Sequence, residues 1–502
     1  METLKEKTAK GLFWGGMNNG VQQLLGLAFG IILGRLLDPS DFGMTAMLAV
    51  FSVIANELQA SGFKTGLINL KDPQHEDYNA VFWFNILAGS AIYVVLFFAA
   101  PLIADFYGNP ALIPLSRYVF LGFVFSSFGM AQSAYLTKQL QIKQIAKCGM
   151  TATLTSSIVS VIMAALGFGY WALATQYLMY IAVNTLLLWY FSPWRPTISP
   201  LTSHLSPLKR LFPFSVRIML SAIFTQVNAN IMNLLLGRFY GEANTGHYNQ
   251  AYQWSSKCYL LVGNMLKQVD QTVLVGLHDE RERQLAVLRK MVRFTAFISF
   301  PLLFGLGLVS HEFIILAIKA KWAFAASLLP YLCLCGAFMP LSSLLTDALI
   351  SHRRSDIYLW CTIALGILQI ALMVSLWRQG IYTMVIAYTL LNIMWVFVWH
   401  HFVRREMGYR LTAFLKDILP FALTAAGVMV VTWFVTEFIV NGHLFTVYGL
   451  QFTDDYLKLW VLLLSRIIIA ALLYYAVMQM AGAVILKECL AFIKKSSVNR
   501  KL

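Results

Sequence analysis

The sequence predicts an all-α protein that crosses a membrane many times, and three observations lead to this fold class. Of the 502 residues, 59% are hydrophobic and only 12% are charged, whereas charged residues make up about a quarter of a soluble domain. Apolar runs recur along the whole chain at lengths near the roughly 20 residues that a helix needs to cross a hydrocarbon core. Lys and Arg are concentrated in the links on one side of these runs.

About fourteen of these runs are long enough to span a bilayer as helices. They lie near residues 12–34, 43–62, 80–104, 113–136, 145–168, 170–191, 211–236, 246–270, 287–310, 323–350, 357–377, 381–402, 413–437 and 457–482. The links between them are mostly shorter than twenty residues, which leaves no room for a soluble catalytic domain on either side. An even number of spans places both termini on the same side of the membrane.

The distribution of basic residues predicts the orientation. Of the 38 Lys and Arg residues, 27 lie on the side of the termini and 7 on the opposite side. Because cytoplasmic links of membrane proteins carry an excess of Lys and Arg, both termini are expected in the cytoplasm. The net charge of +15 comes from these links, so it indicates orientation and not a nucleic-acid partner.

A turn that follows the first run recurs later in the chain. Leu33-Gly34-Arg35 and Gly43 reappear 203 residues on as Leu236-Gly237-Arg238 and Gly246, and Gln23 matches Gln226. Each copy ends one apolar run and begins the next, which predicts a duplicated helix–turn–helix unit. The alternative is a chance recurrence of Leu-Gly-Arg in a chain rich in Leu and Gly.

The turn residues of the repeat are predicted to be Gly34, Arg35, Gly43, Gly237, Arg238 and Gly246, with the glycines at helix ends. The repeat predicts two six-helix lobes and two additional helices. The expected domains are an N-terminal lobe over 1–195, a C-terminal lobe over 196–405, and two further spans with a cytoplasmic tail over 406–502.

Polar side chains in the first and seventh runs predict a shared cavity. In the first run, Gln23 continues a stripe of glycines, Gly26, Gly30 and Gly34, that would let a neighbouring helix approach closely. The seventh run carries Ser221, Thr225 and Asn228 at helical spacing. Amides within lipid need partners or water, so the two equivalent helices are expected to face one cavity. Simple hydrogen bonds to neighbouring helices are the alternative.

Four basic residues fall inside the predicted spans: Arg217, Lys257, Lys267 and Arg466. An unpaired cation there costs about 2.5–3.5 kcal/mol on insertion scales. Arg217 and Lys257 are therefore predicted to bind an anionic substrate group, with Lys267 a third candidate and Glu57 of the second span a neutralising partner. Arg466 is expected to face protein or a groove and not lipid. The other candidate substrate-binding residues are Gln23, Glu57, Asn228 and Arg466. The alternative is a structural ion pair.

The sequence carries no motif for catalysis, nucleotide binding or metal binding. It lacks a phosphate-binding Gly-Lys-Ser/Thr loop and a Gly-x-Ser-x-Gly elbow, and Ile315 stands where a zinc helix beginning at His311 would need its second histidine. Six scattered cysteines indicate neither a disulfide framework nor a metal cage. The protein is therefore expected to be neither an enzyme nor a cofactor carrier. Any uphill transport would be driven by its partners or by a gradient, for which H⁺ and Na⁺ are the candidate ions.

Three groups of residues carry a resemblance to a known family. They are Leu33-Gly34-Arg35 through Asp41-Phe42-Gly43, Gly66-Leu67-Ile68 with Asp77, Phe82 and Trp83, and Lys321-Trp322 with Pro330 and Pro340-Leu341-Ser342-Ser343. Over nearly the whole chain the sequence resembles the polysaccharide exporter branch of the MOP superfamily, the Wzx-type flippases for undecaprenyl-diphosphate-linked oligosaccharides. The resemblance implies two lobes around a central cavity, two extra helices and alternating access.

The same resemblance implies a multi-pass protein of the bacterial inner membrane that serves capsule, exopolysaccharide or O-antigen assembly. Its expected partners are a lipid-linked oligosaccharide, membrane lipids, a polysaccharide polymerase and the chain-length machinery. Cavity cations hold the diphosphate in the family, but no motif places them in this sequence.

Two other functions stay open at this point. A cation-coupled exporter of drugs would prefer acidic cavity residues, whereas here the buried cations outnumber Glu57, the deep anion. A membrane-embedded polymerase, ligase or acyltransferase would show a longer outer loop or a His/Asp cluster, and neither is evident.

Overall fold

The computed structural model describes residues 4–60, 66–68, 70–198, 201–267, 280–352, 354–441, 455–482 and 485–486. Within these ranges the chain is helical and contains no strand, so the all-α fold class is confirmed. The chain divides into two compact units, Met1–Asn249 (the first unit) and Gln250–Leu502 (the second unit). The predicted domain boundaries near residues 195 and 405 stay predictions.

The helices of the first unit are α1 (Leu4–Leu36), α2 (Pro39–Ala60), α3 (His75–Tyr107), α4 (Leu112–Ser127), α5 (Met130–Lys138), α6 (Ile142–Ala165), α7 (Tyr170–Phe191) and most of α8 (Leu201–Lys267). Helix α8 is interrupted by non-helical backbone at Gly241, which divides it into α8a (201–240) and α8b (242–267). Most of α8b, from Gln250 onward, belongs to the second unit.

The remaining helices of the second unit are α9 (Arg281–Leu308), α10 (Ser310–Ile318), α11 (Ala323–Ser351), α12 (Ser355–Leu376), α13 (Ile381–Met407), α14 (Leu411–Asn441) and α15 (Asp455–Met480). Short 3-10 turns, Ala320–Trp322 and Trp377–Gln379, precede α11 and follow α12. Each predicted apolar run overlaps one of these helices or a pair of them.

Ten helices among the described residues are long and apolar enough to cross a membrane, and the bent pair α4–α5 raises the number to eleven. The described stretches of α1 and of both parts of α8 do not meet that criterion, and amides and glycines interrupt their apolar residues. The polytopic fold is confirmed, and the exact number of fourteen spans stays a prediction.

The predicted span over 113–136 is broken in the structure, where α4 and α5 meet at an angle of 44°. The break lies at Phe128 and Gly129, where a side chain from α7 takes the place of a helical hydrogen bond. The Trp189 indole Nε1 donates to the Phe128 carbonyl oxygen at 2.7 Å. A donor inserted into the backbone ladder is a common cause of such bends.

The motif residues around 66–83 are structural. Leu67 is completely buried in a cluster with Tyr78, Phe82 and Trp194. The Asp77 carboxylate accepts the backbone N–H of Gln74 at 2.9 Å, which caps the start of α3. These residues therefore hold the 66–68 segment and the start of α3 together.

The segment that leaves α7 is bonded to the start of α3. Asn79 Nδ2 donates to the Thr197 carbonyl oxygen at 2.9 Å, and the Thr197 N–H donates to Asn79 Oδ1 at 3.0 Å. The Trp83 indole donates to the same carbonyl at 3.0 Å. The chain is therefore held against the first six predicted spans up to residue 197.

Helix α11 lies at the centre of the second unit. Its most apolar window is 61% buried, against 39% or less in the other candidate spans. It begins after a turn in which Lys319 has a φ of 77°, and the following Trp322 is completely buried. The buried Trp322 and the turn at Lys319 together fix the start of α11, so the Lys321-Trp322 motif has a structural role.

A buried carboxylate joins α14 to α9. Asp417, 4% exposed, accepts hydrogen bonds from Arg289 Nε at 2.7 Å and from the Tyr409 hydroxyl at 2.8 Å. Burial raises the pKa of Tyr409, and the hydrogen bond to Asp417 raises it further. The phenol therefore stays protonated and keeps donating, which fixes the first turns of α14.

Candidate functional site

The backbone repeats with the same offset as the sequence. Helix α1 ends at Leu36 and α2 begins at Pro39, and the Asp38 N–H donates to Asp41 Oδ2 at 2.9 Å. In the second copy the helix is interrupted at Gly241, with φ 77° and ψ −176°, a conformation essentially restricted to glycine. Gly241 lies 203 residues after Asp38, so the turn occurs at the equivalent residue of each copy.

Two glycines of the repeat cross at the start of α2 and α8b. A Cβ added to Gly43 would lie 1.7 Å from the Glu242 carbonyl oxygen, and one added to Gly246 would lie 1.7 Å from the Pro39 carbonyl oxygen. Pro39 and Glu242 are also 203 residues apart, so each contact is the repeat-equivalent of the other. Real Cβ atoms essentially never come closer than 3.0 Å to such a group. Only glycine permits this crossing.

Gly237, nine residues before Gly246, packs closely as well. A Cβ on Gly237 would lie 2.7 Å from Tyr107 Cε1 and 2.8 Å from Met47 Cγ. Tyr107 is fixed there because its hydroxyl donates to the Met47 carbonyl oxygen at 2.8 Å. Gly34 is buried in the last turn of α1.

The arginines of the repeat have a different environment from its glycines. Arg35 and Arg238 are both exposed. The Arg238 guanidinium lies over the Phe106 ring, 5.5 Å from its centroid. The glycines of each copy therefore set the helix packing, and the arginines lie at its surface.

Of the predicted glycine stripe on α1, Gly26 makes no close helix contact with the described residues, and the close contacts predicted for Gly30 and Gly34 stay predictions. Gly26 is exposed, and no described atom lies within 4 Å of a Cβ added there. Helices α1 and α6 come close together one turn before Gly26. There a Cβ added to Gly149 of α6 would lie 2.5 Å from Gln22 Nε2 of α1. Gln23, on the neighbouring face, is exposed. The polar face of α1 is therefore uncovered at Gln23.

Lys257, on α8b, has an aromatic partner in place of a carboxylate. Its ammonium lies 4.6 Å from the centroid of the Trp254 ring, and Trp254 is fixed by an edge-to-face contact with Phe313 at 4.9 Å. Lys257 is half-buried and forms no ion pair with a described carboxylate of the second unit. A cation–π contact stabilises the charge by about 0.5–2 kcal/mol and leaves its N–H donors available for an anion.

The opposite face of α8b carries hydroxyl groups that the sequence analysis missed. The hydroxyls of Tyr252 and Tyr259 lie 3.1 Å apart, and Ser255 Oγ donates to the Leu332 carbonyl oxygen at 2.9 Å. A Cβ on Gly336 of α11 would lie 2.7 Å from that Ser255 oxygen. The seven-residue spacing of the tyrosines, two helical turns, is the signal that could have placed them on one face.

The other predicted binding residues have less distinctive surroundings. Glu57 on α2 is half-buried, and its neighbour Gln59 is the buried side chain, donating from Nε2 to the Phe123 carbonyl oxygen at 2.8 Å. Asn228 on α8a is half-buried. The side chains of Arg217 and Lys267 lie outside the described residues, so their roles stay predictions.

Arg466 points into the protein, as predicted. It is 6% exposed, and its Nη1 and Nη2 donate to Glu312 Oε1 at 2.7 Å and to Glu437 Oε2 at 3.2 Å. Its Nε donates to Thr436 Oγ1 at 3.3 Å. Because three of its nitrogens are engaged by α10 and α14, Arg466 organises these helices; its predicted contact with substrate is untested.

No group of three His, Cys, Asp or Glu residues in the described ranges could hold a metal ion. The features that remain are a glycine crossing at the repeat turn, an ammonium on an aromatic face, and a buried arginine between two carboxylates. The two charged groups can bind and orient a ligand, and the close glycine crossing positions two helices against each other. None of the three features suggests a step that breaks a covalent bond.

The chain is similar to solved transporters. It matches the lipid II flippase MurJ in its inward closed conformation with a TM-score of 0.68 at 13% identity, over 94% of this chain and 99% of that one. An inward-facing multidrug resistance MATE family transporter of the MOP superfamily gives a TM-score of 0.63 at 16% identity, over 79% and 96% of the two chains. At these identities the likeness establishes the fold, which is the predicted MOP-type architecture.

Sequence relatives point to polysaccharide assembly. The chain is 27% identical to the lipopolysaccharide biosynthesis protein WzxC of Escherichia coli K12, over 71% of this chain and 72% of that protein. It is 24% identical to the teichuronic acid biosynthesis protein TuaB of Bacillus subtilis 168, over 85% and 88%. A sequence profile described as "Polysaccharide biosynthesis protein" matches residues 32–327. Since that match covers more than half of the chain, the protein belongs to the polysaccharide biosynthesis protein family.

Proposed function

We propose that this protein is a flippase that moves lipid-linked oligosaccharide repeat units across the bacterial inner membrane by alternating access. The observation that carries the proposal is the Lys257 ammonium on a predicted span, held by Trp254 and by no described carboxylate of its unit. A cation in that position is costly unless an anion neutralises it. The diphosphate that links sugar to lipid supplies such an anion, and membership of the family supports this substrate class.

The proposed orientation follows from the basic residues, with both termini in the cytoplasm. Units would be collected at the cytoplasmic leaflet and released at the outer leaflet, where polymerase and chain-length proteins would use them. A gradient of H⁺ or Na⁺ is the proposed driving force, because the sequence holds no nucleotide-binding loop.

Loss of the gene tests this function. In the producing bacterium, its deletion is expected to make single lipid-linked repeat units accumulate on the cytoplasmic leaflet, as measured by mass spectrometry of extracted lipids and by protection from an external glycosidase. Accumulation on the outer leaflet would instead identify a polymerase or ligase. Unchanged lipid intermediates with increased sensitivity to cationic drugs would identify a drug exporter.

Lys257 provides the residue-level test. The variant Lys257→Gln is expected to lower export at least about tenfold, since a hydrogen bond to a charged group contributes roughly 1.5–3 kcal/mol. Lys257→Arg should keep part of the activity because it keeps the charge. Export is measured as surface polysaccharide at matched amounts of membrane-inserted protein.

The matched control is Arg405→Gln, which removes an exposed cation at the end of α13. It should leave export near the wild-type level. Full export by Lys257→Gln, or by that variant combined with Arg217→Gln, would exclude Lys257 from the substrate site.

A further inference from the structure

A cavity lies in the second unit, next to the buried Arg466. It has a volume of about 560 Å³, within the range of about 300–1,000 Å³ that is typical of small-molecule sites. Its apolar wall consists of Leu308, Trp433, Leu459 and Leu462, and its polar lining consists of His311, Glu312, Glu437, Lys458 and Arg466. Lys257 does not line it, so this cavity is separate from the proposed diphosphate site.

The cavity contains a buried acceptor without a partner. The Glu312 side chain is 6% exposed, and while its Oε1 accepts a hydrogen bond from Arg466 at 2.7 Å, its Oε2 has no partner among the described residues. An unsatisfied buried polar atom costs about 1–3 kcal/mol, and more when it is charged. A hydrogen-bond donor from a ligand would remove this cost.

The cavity also contains an uncommitted donor. Lys458, one of its lining residues, is half-buried and forms no ion pair or hydrogen bond with a described residue. It lies eight residues before Arg466 on α15, about two helical turns away along the axis. Donor and acceptor are thus presented together in one cavity.

The charges of the lining cancel. The lining contains two acidic residues, Glu312 and Glu437, and two basic residues, Lys458 and Arg466. A phosphate would meet both carboxylates, and a metal cation would meet both basic groups, so neither ion is favoured. A neutral ligand with many hydroxyl groups suits this lining because each hydroxyl both donates and accepts.

An aromatic ring completes the chemistry. Trp433 is 44% exposed and forms part of the cavity wall. The flat indole face is a surface on which the C–H face of a pyranose ring can pack, while the equatorial hydroxyls of the sugar reach the charged groups.

We propose that this cavity is a carbohydrate-binding subsite for neutral sugars. Trp433 packs against the sugar ring, Glu312 Oε2 accepts from its hydroxyls, Lys458 donates to them, and Arg466 positions the Glu312 carboxylate. The inference relies on the proposed function for the source of the sugar and on the proposed orientation for its side, which is the outer one. There the subsite holds the sugar part of a repeat unit after it has crossed the membrane.

The test uses the full chain in nanodiscs of phosphatidylglycerol, which contributes no sugar. Saturation-transfer difference NMR is recorded with glucose, galactose and N-acetylglucosamine as probes. At least one probe is expected to bind the wild type. Binding is expected to be about tenfold weaker in Glu312→Gln and Trp433→Ala, since each removes roughly one hydrogen bond or ring contact.

The control is Trp360→Ala, which removes a 68% exposed tryptophan from α12, outside the cavity lining, and should bind as the wild type does. If Glu312→Gln fails to fold, Trp433→Ala still tests the inference. Trp433 is 44% exposed, so its replacement is expected to leave the fold intact. Absence of sugar binding by the wild type would overturn the inference. So would binding unchanged in Trp433→Ala, or displacement of the sugar by inorganic phosphate or phosphoethanolamine.

The two proposals can fail separately. Sugar binding is measured on purified protein without any lipid-linked substrate, whereas flipping is measured as the leaflet distribution of lipid intermediates in cells. Flipping by a wild type that binds no sugar would overturn only the subsite, and sugar binding without any effect of gene loss on lipid intermediates would overturn only the flippase function.

Discussion

Replacing Gly43 with alanine is expected to abolish export and to destabilise the protein by at least about 3 kcal/mol, the upper part of the range for overpacked positions. The added Cβ would lie 1.7 Å from the Glu242 carbonyl oxygen, a backbone atom that cannot turn away as a side chain could. Gly246→Ala is expected to have an equal effect through the Pro39 carbonyl oxygen. The measurements are the melting temperature of the purified protein and surface polysaccharide in a deletion strain.

The controls are Gly26→Ala and Gly427→Ala, since nothing described lies within 4 Å of a Cβ at either position. In an exposed helix, alanine is favoured over glycine by about 0.8–1.0 kcal/mol, so these variants should be neutral or slightly more stable. Gly366 lies outside the repeated turns, but it is buried on α12 and is therefore unsuitable as a control. Wild-type export by both Gly43→Ala and Gly246→Ala would show that the two helices do not cross in this way.

Replacing Arg466 with leucine is expected to lower stability by about 3–5 kcal/mol, the usual cost of removing one partner from a buried ion pair. The change would leave the Glu312 carboxylate, 6% exposed, without its cation at 2.7 Å. Glu437 would suffer less because its side chain is 38% exposed. Thermal unfolding of the variant in nanodiscs measures the effect.

A double variant separates the pair from the individual side chains. Arg466→Leu combined with Glu312→Leu should be more stable than the sum of the two single variants predicts, because no buried charge is then left alone. Arg405→Gln serves as the exposed control. Strictly additive effects would mean that the two side chains do not interact.

Much of the fold could be predicted because the bilayer imposes a simple length rule on helices. Each predicted run overlaps a helix, and the 203-residue offset found in Leu-Gly-Arg also relates Asp38 to the helix break at Gly241. The bend at Gly129 could not be predicted, because it depends on Trp189, which is 60 residues away in sequence. Helix α10 was also missed, since its nine residues are too short to form a span.

The candidate site could be predicted only in part. Depth in the membrane singled out Arg466 and Lys257, and the structure places both against side chains that stabilise a positive charge. Depth did not reveal the partners of these two cations, Glu312 and Trp254. Nothing in the apolar pattern of the sequence distinguishes these two residues from their neighbours. Glu57 was chosen as the deep anion, yet Glu312 is the carboxylate that the structure shows bound to a buried cation.

The paired contacts at Gly43 and Gly246 are consistent with an origin of this chain by duplication and fusion of a shorter gene. Gly43 touches Glu242, and their repeat-equivalents Gly246 and Pro39 touch in the same way. Such reciprocal contacts are typical of a dimer with two-fold symmetry. In a homodimeric ancestor encoded by a single short gene, one glycine would have made both contacts, so every mutation there would have struck the interface twice. After duplication and fusion, each copy could be altered alone. Fusion would thus have allowed the contacts at Gly43 and Gly246 to change independently, and the two halves of the transporter to become different.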